Sequence, residues 1–287
     1  MDKKLEDLLK AIPFEGYDEK DLPPATGRPE PAGCHTLLGL LDLTTLDVRD
    51  TEKKVAAMCR RVNRLPELFP GAGQVAGVCV YPRFVPVVKD TLQAPEVSVV
   101  AVAGGFPAAQ TFRKVKTLET EKALEAGARE IDIVLAVGAL LEGDLQQVFD
   151  DVKAIREVTE GRALLKVILE AGLLTPGQVH TASVVAMAAG ADFIKTSTGK
   201  VSPAARPGDV MVMARAARRY HEMTGKKVGI KPAGGIATAE VAEQYAAVIR
   251  KELGEGWIDP STFRIGASRL ANDLLHCFGG EEHLPYF

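Results

Sequence analysis

Eight short apolar runs, each followed by a helical pattern, constrain this chain more than any other feature of its sequence. They fall at LLGLLDLTT (37–45), QVAGVCVYP (74–82), EVSVVAVAGG (96–105), EIDIVLAV (130–137), ALLKVILEAG (163–172), DFIKTSTG (192–199), KVGIKPAGG (227–235) and STFRIGAS (261–268). Several are apolar almost without alternation, as parallel strands covered on both faces are. Between them, Val55, Met58, Cys59 and Val62 follow the i, i+3, i+4, i+7 spacing of a buried helix face. Leu145, Val148, Val152 and Ile155 do the same, as do Val241, Tyr245 and Val248, where Glu252 is a polar exception. Thr175-Pro176 suits an N-cap with proline at the first helical position, and Gly127, Gly190, Gly225 and Gly254 stand where helices should end. From Ile131 the strand markers Leu165, Phe193, Val228 and Phe263 recur at intervals of 28–35 residues, one βα unit each. Eight such units predict an α/β chain folded as a (β/α)8 TIM barrel. A doubly wound open sheet would place a Gly-rich dinucleotide loop after its first strand, and none is there.

The 287 residues hold one such barrel, which takes about 250, and leave an extension. Residues 1–35 stand apart: Leu5, Leu8 and Leu9 mark one face of a short helix, and residues 21–33 carry Pro23, Pro24, Pro29 and Pro31. This N-terminal helical and extended segment is expected to pack as an arm on a barrel spanning 36–278. A tail of residues 279–287 follows, and its terminus is expected to be disordered. The formal net charge of -3 favours neither nucleic acid nor a polybasic membrane face, and no apolar run approaches the length of a bilayer span. The first sixteen residues mix acidic and basic side chains and lack a signal-peptide core, so a cytoplasmic location is expected. The four cysteines are scattered, without a CxxC pair or a neighbouring histidine, which predicts neither a disulfide framework nor a zinc site. The five histidines fall in predicted helices, connectors or the tail, so no metal and no cofactor is expected.

A barrel of this kind has its active site at the C-terminal ends of the strands. The polar residues there are Asp42 and Thr44, Cys79, Asp132, Lys166 and Glu170, Lys195, Lys231 and Ser268. Lys195 and Lys231 stand in otherwise apolar or small-residue runs, on consecutive strands and at the same expected level. Adjacent strands lie about 4.8 Å apart, so inward side chains at one level meet. Mutual repulsion and a partly dry barrel mouth both lower a lysine pKa, from about 10.4 toward neutrality. A neutral amine can condense with a carbonyl to form a Schiff base. Asp132, between Ile131 and Ile133, points to the opposite side from both, either as a counter-ion for the lysines or as a proton relay. Asp42 and Lys200 offer a similar choice as a charge pair. Gly234-Gly235 after the seventh run and Gly266-Ala267-Ser268 after the eighth let backbone amides approach a phosphate, where barrels commonly bind one.

LLDLTTL, VCVYPRF, EIDIVLAVGAL, LLKVILEAG, DFIKTSTGK, KPAGGI and RIGAS occur in the order of the deoxyribose-phosphate aldolase family, which the chain resembles over roughly residues 36–278. The resemblance implies a class I aldolase that reversibly cleaves 2-deoxy-D-ribose 5-phosphate to D-glyceraldehyde 3-phosphate and acetaldehyde, without metal or organic cofactor. It implies Lys195 as the Schiff-base lysine, Lys231 as the second lysine that perturbs it, and Asp132 as the proton relay. It further implies Asp42, Thr44, Cys79 and Lys200 as substrate-pocket residues, and Gly234, Gly235, Gly266 and Ser268 as a phosphate cradle. The expected partners are small phosphorylated sugars and aldehydes, with a homodimer or higher homo-oligomer as the assembly. Another Schiff-base sugar-phosphate lyase, a transaldolase and a non-catalytic sugar-phosphate-binding barrel are the alternatives. The chain departs from the family in its longer N-terminus, in an apolar AVAGGFPAAQ segment and at Arg269, where a serine is familiar. Its final LPYF places Tyr286 where some members carry a tyrosine that reaches the active site.

Overall fold

Within each of the eight apolar runs the chain forms a strand. In a computed structural model describing residues 1–287, the Glu281 side chain excepted, these are β1 Leu41–Thr44, β2 Gly77–Val80, β3 Ser98–Ala103, β4 Glu130–Val134, β5 Leu164–Ile168, β6 Phe193–Lys195, β7 Gly229–Lys231 and β8 Ile265–Ala267. All are parallel, in the order β7-β6-β5-β4-β3-β2-β1-β8. The ring closes between β7 and β8, where Ile230 bridges to Phe263 and Ala233 to Gly266. This is the (β/α)8 barrel that the spacing predicts.

Eight helices cover the outside: α3 Glu52–Leu68, α4 Val85–Thr91, α5 Arg113–Ala126, α7 Leu145–Thr159, α8 Pro176–Ala188, α9 Pro207–Thr224, α10 Ala239–Leu253 and α11 Leu270–Leu275. Before them come α1 Lys3–Ala11 and α2 Pro31–Gly39, and a single turn, α6 Val137–Leu141, precedes α7. The helical stripes turn inward as their periodicity requires, with Val55, Cys59, Val62 and Leu65 of α3 all buried. Glu252 breaks the stripe of α10 for an electrostatic reason: its buried carboxylate accepts from Arg215 and Arg218 of α9. Thr175 and Gln178 form a capping box at the start of α8.

Three expectations are corrected. The run beginning at Leu37 is helical through Gly39, because Pro31 at a first helical position opens α2, and a short apolar run does not by itself distinguish helix from strand. Cys34 and Cys277 form a disulfide although 243 residues separate them. α2 closes the floor of the barrel against α11 and the turn after it, which brings the two thiols together; spacing along a chain carries no sign of that contact. The terminus is ordered rather than disordered. Tyr286 is buried against Phe69 and donates its hydroxyl to the Arg61 carbonyl, and Asn272 accepts from the Tyr286 and Phe287 amides. Phe69 follows the C-terminus of α3, at the opposite end of the barrel from the site, so Tyr286 does not reach it.

The arm crosses the outer helices one after another. Leu5 and Leu8 are buried where α1 meets α8, and Phe14 packs on His180. Asp21 pairs with Arg215, and Arg28 pairs with Glu240 and Asp273.

Inside the ring, glycine makes space for large side chains. A Cβ at Gly229 would lie 2.2 Å from the Phe193 ring, and one at Gly77 would lie 2.9 Å from Asp42 Oδ1. The interior is thereby open to charged side chains from β1, β4, β5, β6 and β7.

Candidate active site

Residues two apart on a strand share a face, and here that rule fills the barrel with charge. Glu130 and Asp132 both point inward from β4, Lys166 from β5, Lys195 from β6, Lys231 from β7, Asp42 from β1, and Arg264 from the residue before β8. Register brings charged residues of one level together: Lys195 lies beside Lys231, and Asp132 beside Lys166. All seven are almost wholly excluded from solvent.

One carboxylate oxygen organises the lysines. Asp132 Oδ2 accepts from Lys195 Nζ at 2.7 Å and from Lys231 Nζ at 2.8 Å, while Oδ1 accepts from Lys166 Nζ at 3.1 Å. Asp42 accepts from Lys231 at 2.5 Å and also from Arg264. Glu130 accepts from Arg264 at 2.8 Å and from Lys166.

The lysines therefore do not share one fate. Burial lowers the Lys195 pKa below its ordinary value; Asp132 opposes the shift and Lys231 adds to it. Burial acts on Lys231 in the same sense, but Asp132 and Asp42 outweigh it and hold that ammonium firmly charged. The expectation that each lysine lowers the other is corrected to this extent: desolvation leads for Lys195, and two carboxylates reverse the outcome for Lys231. Burial alone would raise the Asp132 carboxyl, yet Lys166, Lys195 and Lys231 together keep it well below its usual range. Asp42 is likewise held down by Lys231, Arg264 and Lys166 against its burial.

Above this layer opens a pocket of about 420 Å³. Thr44, Lys195, Lys200, Gly234, Gly235, Gly266 and Ser268 line it, with Lys54 and Arg269 at its edge. Asp42, Cys79, Asp132 and Lys231 lie beneath the pocket, fully buried. The Cys79 thiol is pushed up to about 11 by burial, with Asp132 adding to the shift, so it stays protonated. Thr44 donates its hydroxyl to the Asp42 carbonyl. Asp42 and Lys200 do not pair. Three cations already occupy Asp42, and Lys200 donates instead to the Leu46 carbonyl.

Sequence reasoning passed over several residues. Glu130 and Arg264 lie two positions before Asp132 and Gly266, so their shared face was readable, although their partners across the barrel were not. Lys166 stood among the strand-end residues without a role. Glu170, in the left-handed region at φ 55°, accepts from the Thr198 amide at 3.1 Å and its hydroxyl at 2.6 Å, which fixes the loop after β6. No pattern in the sequence announced that link.

Fold and site together define a barrel lyase of the aldolase class. The DeoC/LacD family aldolase model matches residues 36–274, and the chain belongs to that family. It is 44% identical over 239 residues to a Caenorhabditis elegans protein described as a "Putative deoxyribose-phosphate aldolase", covering 82% of this chain and 78% of that one. Among solved structures, a Toxoplasma gondii protein described in the same way superimposes with a TM-score of 0.76 at 26% identity, over 86% of this chain and 94% of that one. The tetrameric deoxyribose phosphate aldolase of Aeropyrum pernix gives a TM-score of 0.68 at 26% identity, over 85% and 92%.

Proposed function

We propose that this aldolase cleaves 2-deoxy-D-ribose 5-phosphate to D-glyceraldehyde 3-phosphate and acetaldehyde, with Lys195 as the nucleophile. One observation carries the reading: Lys195 is the lysine of the buried set that lines the pocket, and it has a single carboxylate partner. Its neutral amine attacks the C1 aldehyde of the open-chain sugar, and loss of water leaves an iminium. The base that takes the C3 hydroxyl proton lets the C2–C3 bond break, and its electron pair moves into the iminium to give an enamine. Glyceraldehyde 3-phosphate leaves. Protonation of the enamine at C2 and hydrolysis then release acetaldehyde and restore the amine. Lys231, held charged, supplies a proton near the nitrogen, while Asp132 joins both lysines and carries protons between them through water.

Gly234, Gly235, Gly266 and Ser268 form the phosphate cradle, with Lys200, Lys54 and Arg269 as the surrounding positive charge. Gly234 has φ +86°, and a Cβ there would stand 2.8 Å from Ala204 Cβ, so the close backbone turn requires glycine. Thr44 at the wall, and Asp42 and Cys79 beneath it, shape the aldehyde end. We infer a cytoplasmic enzyme working as a homo-oligomer, in keeping with the tetrameric relative.

Lys195→Ala is expected to abolish both cleavage in an assay coupled to glyceraldehyde 3-phosphate and borohydride trapping of substrate on the protein. Trapping at undiminished stoichiometry in that variant removes Lys195 as the nucleophile. A different aldehyde released by the wild-type protein overturns the substrate.

A further inference from the structure

Below the pocket the barrel holds more charge than the proposed reaction uses. Three carboxylates, Asp42, Glu130 and Asp132, face four cations, Lys166, Lys195, Lys231 and Arg264, none more than 5% exposed. Arg264 is not a residue that gives up its proton. A buried set with one surplus positive charge sheds it most readily from the lysine with the fewest anionic partners. Lys166 reaches Glu130, Asp132 at 3.1 Å and Asp42 at 3.6 Å; Lys231 reaches Asp42 and Asp132 at 2.5 and 2.8 Å. Lys195 has Asp132 alone, and it alone of the four opens on the pocket, where its proton can leave to water.

We propose that Arg264 and Glu130 are positioning residues that set the protonation of Lys195 through the charge count of the sealed barrel. The inference rests on the reading of Lys195 as the nucleophile. Neither residue touches the pocket. Arg264 joins Asp42 and Glu130, and these lead to Lys195 by two routes, through Lys231 and Asp132 and through Lys166 and Asp132. The other groups facing this set do not alter the count. Cys79 of β2 is a neutral thiol, β3 contributes only Val100 and Val102, Lys200 is turned to the Leu46 carbonyl, and Glu170 is turned to Thr198.

The count makes two substitutions within one ion pair act in opposite directions. Arg264→Met leaves three cations against three carboxylates, so Lys195 keeps its proton to higher pH. Glu130→Gln leaves four cations against two carboxylates, so Lys195 loses its proton at lower pH. The double variant returns to a surplus of one. The experiment is the pH dependence of kcat/KM for deoxyribose 5-phosphate cleavage, whose acid limb reports the nucleophile of the free enzyme. Alongside it runs the pH dependence of cyanate carbamoylation of Lys195, followed by peptide mass spectrometry. The acid limb and the carbamoylation midpoint should both rise by about one pH unit in Arg264→Met and fall by about one in Glu130→Gln, the effect of one charge two or three side chains away. Both should return to the wild-type position in the double variant, and stay there in Arg264→Lys even where kcat falls.

Shifts in the same direction, unmoved midpoints, or a double variant further displaced than either single one would overturn the proposal and leave a structural ion pair. If Arg264→Met does not fold, Glu130→Gln decides alone, because structural damage lowers the rate without moving the midpoint down. Carbamoylation reads the amine whether or not it acts in cleavage. Midpoints that shift as expected while Lys195→Ala retains cleavage would sink the nucleophile assignment and spare the charge count.

Discussion

Asp132 Oδ2, shared by two ammonium groups, cannot serve both equally. Lys231 has Asp42 in reserve and Lys195 has nothing else, and in the proposed mechanism that difference in partners separates an acid from a nucleophile in a space of one strand spacing. The same scale governs the proposed phosphate end, where the cradle is backbone and the surrounding charge is side chain. Arg269 is exposed at the pocket edge, so its contribution to binding is that of a single screened contact, about 0.5–1 kcal/mol. Arg269→Ser is therefore expected to raise KM for deoxyribose 5-phosphate roughly 2- to 5-fold with kcat nearly unchanged. It should leave cleavage of unphosphorylated deoxyribose unaltered. Steady-state kinetics on the two sugars checks this, and equal losses on both would place Arg269 outside the phosphate contacts. Lys195, Lys231 and Asp132 were legible because strand period and adjacent register are local properties. Arg264 was not, since its carboxylate partners lie 222 and 134 residues away and across the ring.

At the scale of elements, alternation and end signals did most of the work. Each strand lies within an apolar run, and Gly127 and Gly225 end α5 and α9 in the left-handed conformation that glycine permits. The failures share one cause. Whether residues 37–39 continue a strand or end a helix, and whether Cys34 finds Cys277, depend on α2 lying under the barrel, and no local pattern encodes that packing. The disulfide gives a measurable consequence. A bridge over so long a loop typically contributes about 2–4 kcal/mol, and in a chain of this size each kcal/mol moves Tm by roughly 2–4 °C. Reduction with dithiothreitol is expected to lower Tm by roughly 4–16 °C without changing kcat. Cys34→Ser should show the lower Tm from the outset and no response to the reductant. A Tm that does not respond to reductant in the wild-type protein would mean the two thiols are not bridged.

For the whole molecule, the arm decides which outer surfaces remain available. It lies along α8, α9, α10 and α11, so a homo-oligomer built through those faces would bury the arm in its interface. The closed ring of strands, the seam at β7 and β8 and the pocket over it follow from eight repeated units, which is why the architecture was readable in advance while the wrapping of the ends was not.

The bond between Cys34 and Cys277 also changes what kind of object the chain is. All eight strands lie between those two residues, so the barrel belongs to a covalent circle from which two short ends hang. A single proteolytic nick inside the circle opens it without dividing it; only residues before Cys34 or after Cys277 can be shed by one cut. Limited proteolysis should thus yield a nicked species that migrates as one chain without reductant and as two pieces with it.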